Sequence, residues 1–129
     1  MSNSIDRFLQ ANLEAYLQET IRLCAQPSVS ATGEGVGACA GLVEQTLQQH
    51  GFETWKIEGY GNPVVVGRAQ GQSECTLLFY NHYDVQPPEP LELWDSPPFE
   101  PQIREGKLYA GGAKDDKGGL MARIAAVGG

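Results

Sequence analysis

The sequence has little positive charge and no long apolar run. Its 129 residues carry nine lysines and arginines against 16 acidic residues, a formal net charge of −7. This balance disfavours nucleic acid and an anionic membrane surface as partners. No apolar run approaches the roughly 20 residues that cross a bilayer, so we expect no membrane association. The first ten residues, MSNSIDRFLQ, lack the apolar region of a secretory signal, and we therefore expect a cytoplasmic protein.

Cysteine is also scarce. Cys24, Cys39 and Cys75 are odd in number and far apart, and no C-x-x-C spacing occurs, so a cysteine zinc site is not expected. All three stand among apolar neighbours, which predicts buried, reduced thiols. Hydrophobic residues make up 41% of the chain, which indicates a folded protein of at most one ordinary domain.

Hydrophobic periodicity predicts an α/β fold in which helices are layered on a mixed central sheet. The segment 75–83 is apolar on both faces, as expected of a strand inside a covered sheet. In chain order, the predicted elements are a helix from a cap at Asn3 or Ser4 to about Ala25, a helix from about Val36 to His50, strands within 52–58, 62–70 and 75–83, a proline-rich loop over 86–98, a hairpin over 99–112 with Glu105-Gly106 at its turn, and a helix from about Lys117.

The first candidate site is the histidine–aspartate pair in "NHYDVQPP", where the apolar segment ends. Residues two apart on an extended chain point to the same side, so His82 and Asp84 share a face at the carboxyl end of a predicted strand. An aspartate beside a metal-bound histidine accepts its second ring N–H and makes the imidazole a better ligand. The alternative is structural: His82 ends the strand and Asp84 begins the loop.

The second candidate site is "AGGAKDDKGGL", residues 110–120. Adjacent aspartates, Asp115 and Asp116, stand between glycines just before a predicted helix. A carboxylate has two oxygens and can bridge two metal ions about 3.5–4 Å apart. The alternative is a turn in which an aspartate caps the helix and Lys117 is solvated.

Taken together, the two stretches resemble the signature of a family of dizinc exopeptidases and amidohydrolases. The family includes carnosinase-type dipeptidases, carboxypeptidase G, acetylornithine deacetylase and succinyl-diaminopimelate desuccinylase. Its pattern is roughly H-x-D-V-x-P, a tryptophan, "P-F", and then G-K-L-Y-G-R-G-x-x-D-D-K-G. Here "HYDVQPPEPLELWDSPPF" and "GKLYAGGAKDDKGG" follow that order, and the style of the first is closest to the dipeptidase branch. The resemblance covers about residues 77–127 and implies a partial zinc-exopeptidase-like catalytic domain.

The resemblance also implies roles for individual residues. His82 is expected to bind one zinc and Asp115 to bridge two zincs, with Asp84 as the catalytic residue that orients His82. Asp116, Lys117 and Gly118 are expected to shape the loop, and the Asp115–Asp116 peptide is expected to be cis. The expected substrate is a small peptide or N-acyl amino acid, whose amide bond is hydrolysed.

The sequence departs from the family pattern in two ways. Gly111 stands where the family commonly has arginine, which is expected to loosen the loop ahead of Asp115. The family's Glu-Glu pair, its second acidic ligand, its distal histidine and its lid or dimerisation domain have no counterpart here. The other histidine, His50, is expected to meet the helix dipole and solvent.

Residues 1–129 are therefore expected to form the N-terminal portion of a catalytic domain, inactive as this chain and holding zinc weakly or not at all. The alternative is a stand-alone, non-catalytic α/β module that acts in association with other chains. Exposed strand edges would favour a homo-oligomer in either case.

Overall fold

Within residues 3–128, three helices and two pairs of short strands occur in the order that the sequence predicts, apart from one predicted strand that is missing. The computed structural model describes residues 3–128. Its elements are α1 (Ser4–Ala25), α2 (Val36–Gln49), β1 (Glu53–Ile57), β2 (Val64–Arg68), a single 3-10 turn (Leu91–Leu93), β3 (Gln102–Arg104), β4 (Lys107–Tyr109) and α3 (Lys117–Gly128). The α/β class and all three predicted helices are confirmed.

The ends of the first two helices follow from local chemistry. The Asn3 side chain accepts a hydrogen bond from the Asp6 N–H at 2.8 Å, and the Asp6 carboxylate accepts one from the Asn3 N–H at 3.2 Å. This reciprocal box satisfies two backbone donors at the start of α1, so Asn3 is the cap. Gly35 precedes α2 with φ of 70°, and a Cβ there would lie 2.1 Å from the Pro27 carbonyl oxygen. Only glycine allows the chain to pass Pro27 at this distance.

The three helices enclose the hydrophobic core. Leu23 near the end of α1 packs with α2 and with the inward face of α3. α2 presents buried residues four apart and α3 presents buried residues one, three or four apart, which places them on one side of each helix, and α1 adds Leu23. The buried residues of this cluster are Leu23, Cys39, Val43, Leu47, Met121, Ile124 and Ala125.

The strands form two separate two-stranded antiparallel sheets. β1 pairs with β2, with Trp55 opposite Val66, and β3 pairs with β4, with Ile103 opposite Leu108. Glu105 and Gly106 both have positive φ, 50° and 74°, which is the geometry of a type I′ hairpin turn. The predicted hairpin and its turn are confirmed.

The prediction of a covered inner strand over 75–83 is wrong for the described residues. Within residues 3–128, this segment pairs with no strand. The only parallel β-bridge among these residues joins Val29 to Val85, two positions after the segment ends. Leu77, Leu78, Phe79 and Tyr80, which we call the apolar stretch, are 81%, 92%, 51% and 84% exposed. An apolar run favours burial, but a strand also needs a neighbour in register. The described part of the chain offers no such neighbour, so the two hairpins remain separate and do not form one central sheet.

The cysteines divide into two groups. Cys24 and Cys39 are fully buried, as predicted, but Cys75 is exposed beside the apolar stretch, so that part of the prediction is wrong. The cause is the same as for the missing strand, since Cys75 opens a segment without a covering neighbour. Within the described part of the chain, no helix is long and apolar enough to cross a bilayer.

Candidate active site

His82 is held between two carboxylates. Its Nδ1 lies 3.0 Å from the backbone oxygen of Asp84 and 3.2 Å from Asp84 Oδ1. Its Nε2 lies 2.9 Å from Asp115 Oδ1. In the metal-free chain both ring nitrogens can donate, Nδ1 to Asp84 and Nε2 to Asp115, and loss of the Nε2 proton would leave a lone pair there for a cation. The two predicted stretches, 33 positions apart, therefore meet at one imidazole.

The His82 segment is fixed by the loop that follows α1. The Val85 N–H donates to the Ser28 carbonyl at 2.9 Å, and the buried Ser28 hydroxyl donates to the Tyr83 carbonyl at 2.7 Å. The Tyr83 hydroxyl donates to the Pro63 carbonyl just before β2. Residues 83–85 are thus anchored on both sides, although 75–80 are not.

The Asp115 loop folds tightly against the first turn of α3. A Cβ on Gly118 would lie 2.1 Å from the Ala113 carbonyl oxygen, and one on Gly112, whose φ is 80°, would lie 2.9 Å from Val85 Cγ1. Gly118 must be glycine because a backbone oxygen lies too close for a side chain, and Gly112 is favoured because of its positive φ and the nearby side chains of Val85 and Lys117. The Asp115–Asp116 peptide is cis, as the resemblance implies.

Asp116 faces away from the His82 imidazole and toward Asn81. The Asn81 Nδ2 donates to Asp116 Oδ2 at 2.6 Å, and the His82 backbone N–H points at the same oxygen at 3.4 Å. Asn81 is a contact that the sequence reasoning missed. Its position next to His82 was the available signal, but an asparagine in a loop has many other uses.

Lys117 is fully buried, which corrects the alternative that placed it in solvent. Its Nζ donates to the Gln26 carbonyl oxygen at 2.6 Å, a contact between residues 91 positions apart. Burial lowers the pKa of Lys117, an effect that the nearby thiols of Cys39 and Cys24 oppose. Lys117 thereby connects the start of α3 to the end of α1. It directly follows Asp116, whose carboxylate faces Asn81.

The surroundings of His82 favour its protonated form when no metal is bound. Desolvation is the largest influence and lowers the pKa of His82, but the hydrogen bonds to Asp84 and Asp115, together with their negative charges, raise the pKa above its usual value. The two carboxylates therefore create a position that attracts positive charge, whether a proton on the ring or a cation beside it.

The donor atoms fit one side of a zinc site. Two ligands about 2.1 Å from a tetrahedral zinc lie about 3.4 Å apart, close to the 2.9 Å between His82 Nε2 and Asp115 Oδ1. Asp115 is also accessible, with its side chain 82% exposed, whereas the Asp84 carboxylate lies behind the ring. Across residues 3–128, no group of three or more His, Cys, Asp or Glu side chains is placed to hold a metal ion. The described residues thus bring one histidine nitrogen and one exposed carboxylate together without forming a complete metal site.

The pair opens onto a cleft of about 310 Å³. His82, Asp84 and Asp115 form its polar side, and Trp94 and Phe99 lie among its apolar walls. The Trp94 ring is held in place because its Nε1 donates to the Pro88 carbonyl at 2.8 Å. Trp94 and Phe99, the tryptophan and the phenylalanine of the family pattern, thus line the same cleft as His82 and Asp115.

Two further expectations can be compared with the structure. Gly111, in place of the family's arginine, donates its N–H to the Pro98 carbonyl at 2.7 Å, so the backbone is tied at this point. His50 is not simply solvated at a helix end, since its Nε2 lies 2.8 Å from Glu19 Oε2 and its ring is 5.9 Å from that of Tyr16. His50 does stand at the carboxyl end of α2, but the expectation of a solvated ring is wrong because α1 packs a carboxylate against it.

Comparisons with known proteins agree with the resemblance. The chain is 42% identical over 98 residues to a succinyl-diaminopimelate desuccinylase of Methylococcus capsulatus, covering 76% of this chain and 26% of the relative. Its structure is similar to that of an M20 family metallo-carboxypeptidase from Sulfolobus solfataricus, with a TM-score of 0.84, 39% identity, and coverage of 88% of this chain and 26% of that one.

A dipeptidase, Dug1p from Saccharomyces cerevisiae, is also similar in structure, with a TM-score of 0.82 and 25% identity over 94% of this chain and 29% of that one. The chain therefore spans between a quarter and a third of the length of the relatives it matches. Residues 78–128, which contain both halves of the ligand pair, match the model of peptidase family M20/M25/M40. The resemblance is thus confirmed, and residues 78–128 carry the pattern of peptidase family M20/M25/M40.

Proposed function

We propose that residues 1–129 form the N-terminal portion of the catalytic domain of a zinc-dependent hydrolase that cleaves amide bonds in small peptides or N-acyl amino acids. The observation that carries the proposal is the placement of His82 Nε2 and Asp115 Oδ1 at 2.9 Å, with Asp84 behind the imidazole, inside the segment that matches the family. Histidine and carboxylate ligands with a supporting carboxylate are the usual donor set of a hydrolytic zinc site.

Each residue has a distinct part in this proposal. His82 would hold one metal ion through Nε2, and Asp115 would reach two through its two oxygens. Asp84 would keep the proton on Nδ1 and increase the basicity of the ring, since it accepts from that nitrogen in the structure. Bound zinc supplies an activated water and a Lewis acid for the scissile carbonyl. Trp94 and Phe99 would exclude bulk water from one side of the cleft.

A complete site requires groups beyond this pair. A catalytic zinc takes at least three protein ligands, and water activation needs a general base. We propose that a later part of a longer protein supplies them, so that this chain by itself is inactive and holds zinc weakly. The chain's small share of its relatives' lengths supports this division.

The proposed partners follow from the same site and from the charge. The substrate would be a small peptide or N-acyl amino acid, because the relatives are named as desuccinylase, carboxypeptidase and dipeptidase. The net charge of −7 supports a protein that binds neither nucleic acid nor an anionic membrane. We also propose a cytoplasmic location, in line with the expectation from the first ten residues.

A second candidate function is a non-catalytic module that associates with copies of itself. The exposure of the apolar stretch favours it, because exposed apolar segments with unpaired backbone groups are sites of association. In this case the ligand pair would be an inherited feature without turnover.

Hydrolysis assays distinguish the two candidates. The 129-residue chain and a longer protein that continues it would be incubated with zinc, a dipeptide and an N-succinyl amino acid. We expect turnover only by the longer protein, and its loss in His82→Gln and Asp115→Asn. His50→Gln is the matched control, because it makes the same change at the other histidine and should retain turnover. A longer protein without turnover on either substrate class would contradict the proposal.

A further inference from the structure

We propose that Asn81 is a positioning residue for the His82–Asp115 pair and that it acts through the side chain of Asp116. The inference rests on the proposed function only in taking His82 and Asp115 as metal ligands. It adds a residue outside the His82–Asp115 pair. Asn81 belongs neither to the family pattern nor to the residues expected to shape the loop.

The hydrogen bond between Asn81 and Asp116 joins the two halves of the site. Asn81 directly precedes His82, and Asp116 directly follows Asp115. The amide Nδ2 donates to Asp116 Oδ2 at 2.6 Å, a short hydrogen bond. Both side chains are half-buried, so the bond is partly shielded from competing water. The bond therefore fixes the two chain segments at positions adjacent to each ligand.

The Asp116 carboxylate is itself held over the first turn of α3. A Cβ placed on Gly119 would lie 2.2 Å from Asp116 Oδ1 and 3.2 Å from an Arg123 guanidinium nitrogen, so the carboxylate occupies the space above this glycine. The Asp116 backbone oxygen accepts from the Leu120 N–H at 2.8 Å. Since α3 is fixed in the core by buried Lys117 and Met121, Asn81 is tied to a rigid element.

This bond becomes most important when a metal ion is bound. Within residues 3–128, segments 81–85 and 112–119 are also joined by the long 3.4 Å contact from the His82 backbone N–H to Asp116 Oδ2. The other hydrogen bond between side chains of the two segments is the one between His82 Nε2 and Asp115 Oδ1. Those two atoms would both be directed at the ion, so their mutual hydrogen bond could no longer hold the segments together. The Asn81–Asp116 bond uses different atoms and can persist. Groups that orient ligands in this way typically change metal affinity by about 10–100-fold when removed.

The test first removes the hydrogen bond between Asn81 and Asp116 and then restores it with donor and acceptor exchanged. Asn81→Leu deletes the amide and is expected to weaken zinc binding by about 10–100-fold. The double variant Asn81→Asp/Asp116→Asn exchanges the two groups and keeps the total charge. It should return the zinc affinity to within about threefold of that of the original chain, since neighbouring substitutions rarely compensate each other completely. Asn12→Leu, the same change within α1 and away from the site, is the matched control. Asp116→Asn keeps an acceptor oxygen but removes its charge, and it should give an intermediate loss.

Two readouts are needed, and the first does not involve metal. Long-range ¹H–¹⁵N spectra of the metal-free chain contain only the rings of His50 and His82. Asn81→Leu should shift the His82 nitrogens and leave those of His50 in place, and the exchanged pair should restore them. The second readout is calorimetry with zinc chloride on the same four variants and on the original chain.

The outcomes separate this inference from the proposed function. A His82 spectrum unchanged by Asn81→Leu, or an exchanged pair that behaves like Asn81→Leu, overturns the positioning role. If Asn81→Leu does not fold, the exchanged pair and Asp116→Asn decide the question by the same spectra. A longer protein that hydrolyses no amide while the metal-free spectra change as expected would contradict the proposed function and support the role of Asn81.

Discussion

Two apolar regions of this chain have similar composition and opposite environments. The helical core around Leu23, Met121 and Ile124 is 1–3% exposed, whereas the apolar stretch Leu77–Tyr80 is 51–92% exposed. The core is closed because three helices present apolar faces to one another, while the stretch lacks a neighbouring strand. The His82 site follows the stretch in sequence, is anchored through Ser28 to the loop that follows α1, and lines a cleft. An apolar sequence thus indicates that a segment favours burial, but a strand is buried only where neighbouring strands pair with it in register.

The largest expected difference between the two regions is in the free energy of unfolding. Leu23→Ala leaves a cavity in the core and should destabilise the chain by about 2–5 kcal/mol. Leu78→Ala, the same change at a 92% exposed position, should alter stability by less than about 0.5 kcal/mol. Urea unfolding of both variants measures the difference. Similar losses would show that the stretch is covered in solution, for example by a second copy.

The glycines of the site loop provide the next comparison. Gly118→Ala places a methyl group 2.1 Å from the Ala113 carbonyl oxygen and should cost about 1–3 kcal/mol, since the loop must move. Gly37→Ala, on α2 with nothing within 4 Å of the added carbon, should stabilise by about 0.5–1 kcal/mol. Thermal unfolding of the pair checks the opposite signs. A neutral Gly118→Ala would show that the loop is less closely packed on α3 than described.

The cysteines distinguish the same regions by reactivity. Burial raises the pKa of Cys24 to about 11, and it raises the pKa of Cys39 as well. At pH 8 the thiolate fraction of Cys24 is then about one thousandth, and access to it is blocked. Iodoacetamide should therefore modify Cys75 first, and Cys24 and Cys39 only after urea is added. Mass spectrometry of the digested protein identifies the modified positions, and early labelling of Cys39 would contradict a closed core.

The smallest expected effect is the pH dependence of stability contributed by His82. Its pKa is raised in the folded chain, so its pairs with Asp84 and Asp115 contribute fully below about pH 6.5, and their contribution is lost as the pH rises through the folded value. The effect should stay below about 1 kcal/mol, because His82 and Asp115 are 37% and 82% exposed. Urea unfolding of the metal-free chain and of His82→Gln from pH 5.5 to 8.5 measures it. A difference that grows with rising pH would contradict the sign.

The sequence predicts much of the fold because local rules decide it. The cap at Asn3, the hairpin turn at Glu105-Gly106 and the helix after Asp116 each depend on residues within four positions of one another. The missing strand over 75–83 could not be foreseen, because strand formation depends on partners distant in sequence. Spacing alone placed His82 and Asp84 on one side. Their meeting with Asp115 was expected only from the family resemblance.

The contacts that support the site were the least predictable. Asn81 and Asp116 are 35 positions apart, and Lys117 and Gln26 are 91 apart. No periodicity or motif links such pairs, and a lysine is ordinarily expected in solvent. The sequence therefore suggests the atoms that would face a metal ion, and the structure adds those that hold them in place.

Calorimetric zinc titration of the 129-residue chain tests the central claim most directly, namely that His82 and Asp115 are one part of a metal site. The account predicts binding weaker than about 1 μM, because most coordination positions are left to water. That binding should disappear in His82→Gln and in Asp115→Asn and persist in His50→Gln. Two tightly bound zinc ions, or zinc binding that His82→Gln leaves unchanged, would contradict it.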